Sequence, residues 1–384
     1  AMGRSALYAN TTGNSAVAIG KSALASNTTG NSNTAIGKDA IGSNTTGASN
    51  TAVGDGALYA NTTANNNTAM GKDALVANTT GSENTALGEA SLDANTTGAS
   101  NTALGRATLS AATTANGNTA VGESALRFNT TGYSNVAVGA SSLDANTTGN
   151  FSTAVGHNAL SAATTSGYNT AVGQGAMLAT TTGGYNVAMG VDAMVANTTG
   201  QENTAVGYQA LKANTTAHNN TAFGRLALLT NTTGTENVAV GAACLDGNTT
   251  GNYNTAVGTS ALTSNTTGAN NTAVGRNAGD NITTGSSSTI VGYNAGGAVT
   301  TGGANTCIGY QAGNVMASGA SNNIAIGVNA VTAGSNPSYT YAIGVSVTAL
   351  NENNQFVFGN DSLGVVHNNF DTNASWTRTS DERI

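Results

Sequence analysis

The sequence predicts an all-β protein, a parallel β-solenoid (β-roll) of 17-residue coils. The fold class follows from a strict period, from the residues that fill it and from those that are scarce. "NTAVG" and close variants return every 17 residues, the mark of a repeat architecture. Glycines keep the beat: Gly3, Gly20, Gly37, Gly54 and Gly71 open a series that reaches Gly309 without a slip, after which Gly327 follows at 18 and Gly344 at 17. Asn, Thr and Gly fill about half of each unit, too many poor helix formers for a helical repeat. One Pro, 51 Gly, 5% aromatic and 8% charged residues in 384 suit a fibre better than a set of globular domains. Disordered chains share such a composition but not the regular apolar spacing.

In phase, the unit reads N-T-A-V-G-x-x-A-L-x-A-N-T-T-G-x-x. "NTAVG" reads as one short strand and "ALxA" as a second, with "NTTG" and "Gxx" as turns where Asn and Gly accept left-handed backbone. Stacking at ~4.7–4.9 Å per coil, about 20 coils would build a rod on the order of 95 Å long. The Val-like residue (Val53 and its equivalents) and the Leu-like residue (Leu58 and its equivalents) are expected inside, worth roughly 1.5–3 kcal/mol each. Ordering each backbone unit costs roughly 1–2 kcal/mol, so no coil stands alone and stability must come from neighbours. Columns of Asn suit this, because stacked amides bond along the axis.

The position after the Gly carries Arg4, Lys21, Lys38, Asp55, Lys72, Glu89, Arg106 and Glu123, and so faces solvent. Lys72, Glu89, Arg106 and Glu123 alternate in sign over four coils, a ladder of weak pairs. If Thr51 and Val53 point inward, alternation sends Ala52 out. Its equivalents then form a flat stripe of small residues, which predicts a homo-oligomer closed over that stripe. Handedness, and dimer versus trimer, stay open at this level.

Residues 1–275 form the regular repeats. From 276 to 345 they vary: Gly279, Gly296 and Gly313 take the Leu column, while Ile282, Val299 and Met316 appear three residues later. Residues 346–379 are expected to supply a transition or cap, since a last coil exposes unpaired strand edge. Ala1-Met2-Gly3 fits the repeat from its middle, which predicts a longer parent.

Net charge is −7 with 11 Lys+Arg, which excludes a basic stripe and with it a nucleic-acid partner. The chain holds no run of ~18 apolar residues for membrane insertion and no signal-peptide pattern. Cys244 and Cys307 take small-residue slots nearly four coils apart, beyond disulfide reach, and read as free buried thiols. His157, His218 and His367 join no ligand set, so no metal and no cofactor is expected. Asp93, Asp144 and Asp246 lie several coils apart, whereas a glycosidase pair needs roughly 5–10 Å. Tyr133, Phe151, Tyr168, Tyr185 and Tyr253 recur just before the strand. They are candidates for stacking on sugars, or else fill space between coils or subunits. Thr11, Thr28 and Thr45 raise ice binding, but beside a turn Gly they lack a broad strand face. N-x-[ST] matches are an accident of an Asn/Thr repeat.

The "NTAVG", "NVAVG", "NVAMG" and "NIAIG" segments resemble the repeats of YadA-type trimeric adhesin heads, left-handed parallel β-rolls packed as trimers. The period of 17 is longer than that family's typical unit. "ASWTRTSDERI", residues 374–384, is similar to the junction at which phage tail fibres, tailspikes and endosialidases meet a self-cleaving intramolecular chaperone. That resemblance implies cleavage of the parent between Thr379 and Ser380, with Ser380 and Asp381 on the motif positions and residues 380–384 opening the chaperone. The motif's Lys would fall at 385, and a serine without a base is a poor nucleophile, so this chain is not expected to act as an enzyme. The two resemblances imply an intertwined or side-by-side homotrimer serving as the shaft or receptor-binding region of a viral (phage) tail fibre. Its location would be the virion or otherwise extracellular, and its partners would be itself and a host surface glycan or protein. The alternatives are a bacterial trimeric surface adhesin or extracellular filament, then an ice-binding solenoid or a glycan-degrading tailspike.

Overall fold

The computed structural model describes residues 1–332, 338–349 and 353–360, and the backbone of 364–369. Two compact units divide the chain, Ala1–Glu202 and Asn203–Ile384. The protein is a parallel β-solenoid of about 20 coils with a 17-residue repeat, and no helix occurs among the described residues.

In the first unit a three-residue strand recurs once per coil, from Val17–Ile19 through Thr51–Val53 to Val187–Met189. Neighbours pair in parallel and in register, Thr51 on Thr68, Ala52 on Ala69 and Val53 on Met70. In the second unit the same strands run from Thr204–Val206 to Ile324–Ile326. Winding then gives way to Tyr341–Val345 and Gln355–Asn360, still parallel, and finally to Gly364–Asn369, which pairs antiparallel with Gln355–Asn360.

The second expected strand, "ALxA", is not a strand. That segment is a run of turns, and it turns because alternate residues hold left-handed backbone. In one coil Gly54 has φ 141, Gly56 φ 66 and Leu58 φ 54. A leucine in that region is rare. Here its side chain is fully buried, and that burial offsets the local strain. The repeated Gly has a different reason: a Cβ at Gly54 would collide with the carbonyl oxygen of Gly71 in the next coil, and Gly20 and Gly37 meet the same obstacle.

The strand faces are the reverse of the sequence expectation. Ala52 and the equivalent alanines point inward and are fully buried, whereas Thr51 and Val53 are partly exposed on the outside. The cause is volume. One short coil already encloses Leu58, Ala57 and the amides of Asn61 and Asn67, so the inward strand position has room for a methyl group and little more. Alternation then places the larger Val-like side chains outside.

Buried asparagines supply the vertical bonding. Asn27 donates to Asn10 Oδ1 at 2.8 Å and Asn44 to Asn27 Oδ1 at 2.7 Å. A second column caps the strand, where the backbone N–H of Asn50 donates to Asn33 Oδ1 at 3.0 Å and its amide to Ala64 O at 2.8 Å. The turn threonines are equally structural: Thr28 Oγ1 donates to Thr45 O at 2.9 Å.

Candidate binding surface

The corner before each strand is a tight turn whose last residue takes positive φ, as at Phe151, Tyr168 and Tyr185. Because coils stack in register, residues 17 apart become neighbours, and rings placed there line up along the axis. Phe151 and Tyr168 stack with centroids 5.2 Å apart, and Tyr168 and Tyr185 at 4.9 Å with planes 4° from parallel. Tyr133, one position earlier in its coil, meets Phe151 edge-on at 5.1 Å. All four are exposed, so they cover neither core nor one another's outer edges. The structure brings these four sequence candidates together. Tyr253 lies in the second unit, exposed and with no ring contact among the described residues.

A depression of about 260 Å³ opens beside this ladder, lined by Ser166, Gly167, Tyr168, Gly184, Tyr185 and Gln201 among others. The sequence reading missed it. Its signal was present as a run of small residues, glycine in two successive coils at 167 and 184, and as Ser166, a serine in a column that is otherwise Gly or Ala in the described coils. A second ring stack, Tyr293 on Tyr310 at 5.3 Å with Arg276 over Tyr293, was also missed. Those tyrosines directly follow Gly292 and Gly309, a position read only for its charges.

The three sequence-candidate carboxylates are not brought together. Asp93 and Asp144 are three coils apart, about 14 Å at one strand spacing per coil, and Asp246 belongs to the other unit. Partial burial raises the Asp93 carboxyl above the ordinary range. Burial also raises Asp144, against the opposing pull of Arg127 at 3.2 Å. Of the alternating ladder, Arg106 pairs with Glu123, while Lys72 pairs with Asp73 of its own coil at 3.7 Å. Cys244 and Cys307 are free and buried, and burial pushes each thiol up to about 12. Among the described residues no group of three His, Cys, Asp or Glu side chains could hold a metal ion, and no helix is long and apolar enough to cross a membrane. Thr379, Ser380 and Asp381 lie outside the described residues.

Compared with known proteins, the chain matches no family profile and no curated relative. The surface therefore has to be interpreted from its own geometry. It offers an outward apolar column along each unit and a polar, ring-flanked depression in the first.

Proposed function

We propose that the chain is a structural and adhesive fibre protein, the shaft or receptor-binding region of a viral (phage) tail fibre used in host attachment, and that it works as a homotrimer. The outward strand face supports this reading. In the first unit Ile19, Ile36, Met70, Leu87 and Leu104 stand in one column, each between 37% and 41% exposed. In the second, Phe223, Val274, Ile308 and Ile343 continue the pattern. Large apolar side chains repeated on a flat face call for a cover, and a second and third copy of the same face satisfy that need by symmetry. The association surface is thus this Val-like column rather than an alanine stripe. Three copies, and a chaperone removed between Thr379 and Ser380 of a longer parent, rest on the resemblances to adhesin heads and tail fibres. A bacterial trimeric adhesin or extracellular filament would use the same face.

Light scattering on the eluted chain tests the reading. A mass of three chains is expected, and Leu87→Lys with Leu104→Lys should release single chains with unchanged circular dichroism. A wild-type mass of one chain would overturn the fibre assembly, and a mass of two would overturn the trimer.

One observation favours a second reading. Thr51, Thr68 and their equivalents stand outside beside the Val-like column, so a threonine array does occupy a strand face. The turn threonines that first raised the idea instead bond the next coil. An ice-binding role predicts thermal hysteresis by the purified protein, and its absence rejects that role.

A further inference from the structure

The repeat provides its own control, because a feature found in one coil can be compared with the same position in every other. Along the corner column, Asn31, Asn65, Asn116 and Asn150 each turn Oδ1 toward the previous coil. Each accepts the backbone N–H of the residue 17 earlier, at 2.7–2.8 Å. At 167 and 184 this column holds glycine, so the N–H groups of Asn150 and Gly167 face a coil without that acceptor. Ala48, Ala99, Ala269 and Gly303 also omit it, but here the two open N–H groups fall in successive coils beside Ser166. Asn150 and Gly167 both line the depression. In the neighbouring column, where Gly132, Gly149, Gly183 and Gly200 stand, the same coil places Ser166. Ser166 is 3% exposed, it lines the depression, and its Oγ has no hydrogen-bond partner. A buried hydroxyl left unpaired is costly, and Ser166 stands where every other described coil carries Gly or Ala, so packing does not call for it.

We propose that this corner binds a neutral saccharide, one sugar unit at a time. Two backbone N–H donors and a serine hydroxyl suit the oxygens of a polyol. No charged side chain lines the depression, which favours a neutral ligand over an anion. The volume is slightly below the roughly 300–1,000 Å³ of sites for drug-sized ligands, which fits a single ring. Tyr185 ends the aromatic stack, because the next coil places Glu202 in its column. Tyr185 is 59% exposed and lines the depression, so its ring can meet the C–H face of a sugar, with the ring's negative face against polarised hydrogens. The inference deepens the host-attachment reading and rests on it for its biological sense, but the site lies in one chain and does not require the trimer.

The test uses the full chain, fluorescently labelled, on an array of immobilised neutral and acidic oligosaccharides, followed by titration calorimetry with the strongest neutral probe. Ser166→Gly and Gly184→Asn write residues that other coils carry. A Cβ at 184 would lie 3.0 Å from Gly167 O, close enough that this carbonyl must give by a few tenths of an ångström. Gly184→Asn should keep the wild-type melting curve, and Ser166→Gly, which removes the unpaired hydroxyl, should melt no lower than wild type. Binding to neutral probes is expected, weakened about tenfold or more by Gly184→Asn and by Tyr185→Ala. No binding, binding to acidic probes alone, or equal binding by folded Gly184→Asn would overturn the proposal. Light scattering on the same samples separates the two readings: a trimer that binds no sugar sinks only the site, and a monomer that binds sugar sinks only the trimer.

Discussion

Asn61 donates its side-chain amide to Asn44 Oδ1 at 2.8 Å and to Ala64 O of its own coil at 3.1 Å, while its Oδ1 accepts from Asn78. The residue is fully buried, so on its loss Asn44 Oδ1 and one N–H of the Asn78 amide would be left without partner or water, while Ala64 O keeps the Asn50 amide. Asn61→Leu is therefore expected to destabilise the solenoid by about 2–4 kcal/mol, the orphaned groups costing roughly 1–3 kcal/mol each with part recovered from apolar burial. Urea unfolding monitored by circular dichroism checks it, and a change below about 0.5 kcal/mol would show that the ladder is dispensable.

The late coils show how the Asn column can be apolar without harm. Ile282, Val299 and Met316 occupy that column, and in the same coils the left-handed Leu position is glycine. A Cβ at Gly279 would lie 3.1 Å from both Ile282 Cδ1 and Leu262 Cδ2, so Ile282 fills the space that leucine fills elsewhere. Leu58→Gly and Asn61→Ile should each destabilise, and the pair together should cost less than the sum by about 0.5–3 kcal/mol. Additive costs in a double-mutant cycle would refute the exchange.

These exchanges show what the sequence makes legible and what it hides. Period, parallel stacking and Asn bonding along the axis are visible because each depends on residues 17 apart being identical, as Asn27 and Asn44 are. The sense of the strand faces is not, since Thr51-Ala52-Val53 alternates equally well either way and hydrophobicity alone puts Val53 inside. Only the volume already taken by Leu58 and the asparagines decides it. Left-handed leucine is equally hidden, because propensity gives it no support. The aromatic ladder could be read from spacing, but the depression beside it depends on what Gly167 and Gly184 omit.

The inward alanine can be tested directly. Ala120 is fully buried in a coil that retains Leu126, whereas the one isoleucine in that column, Ile290, lies where Gly296 replaces leucine, 2.9 Å from where a Cβ at Gly296 would stand. Ala120→Ile should overpack the coil and cost about 1–3 kcal/mol. Val121→Ile adds its methyl group one residue later, on the outward association face rather than in the filled coil, and should lower the urea midpoint less than Ala120→Ile does. The opposite order of effects would restore the alanine-outward arrangement.

The two thiols give a pH test of burial. Cys307 fills the inward strand position with its Sγ 3.6 Å from Met316 Sδ, and Cys244 donates to Ala256 O at 3.2 Å. Burial lifts both from 9.0 to about 12, so the folded state holds these protons more tightly than the unfolded chain does. Their contribution is complete below pH 9 and is lost as pH rises from 9 toward 12, at roughly 1.4 kcal/mol per pH unit for each thiol. Cys244→Ala with Cys307→Ala writes the alanine of the repeat at both positions and should flatten the fall in stability over that window. A thiol reagent at pH 8 should modify neither cysteine until the protein is unfolded. Rapid labelling of the folded chain, or an identical pH profile in the double variant, would show that the coil interior admits water at these positions.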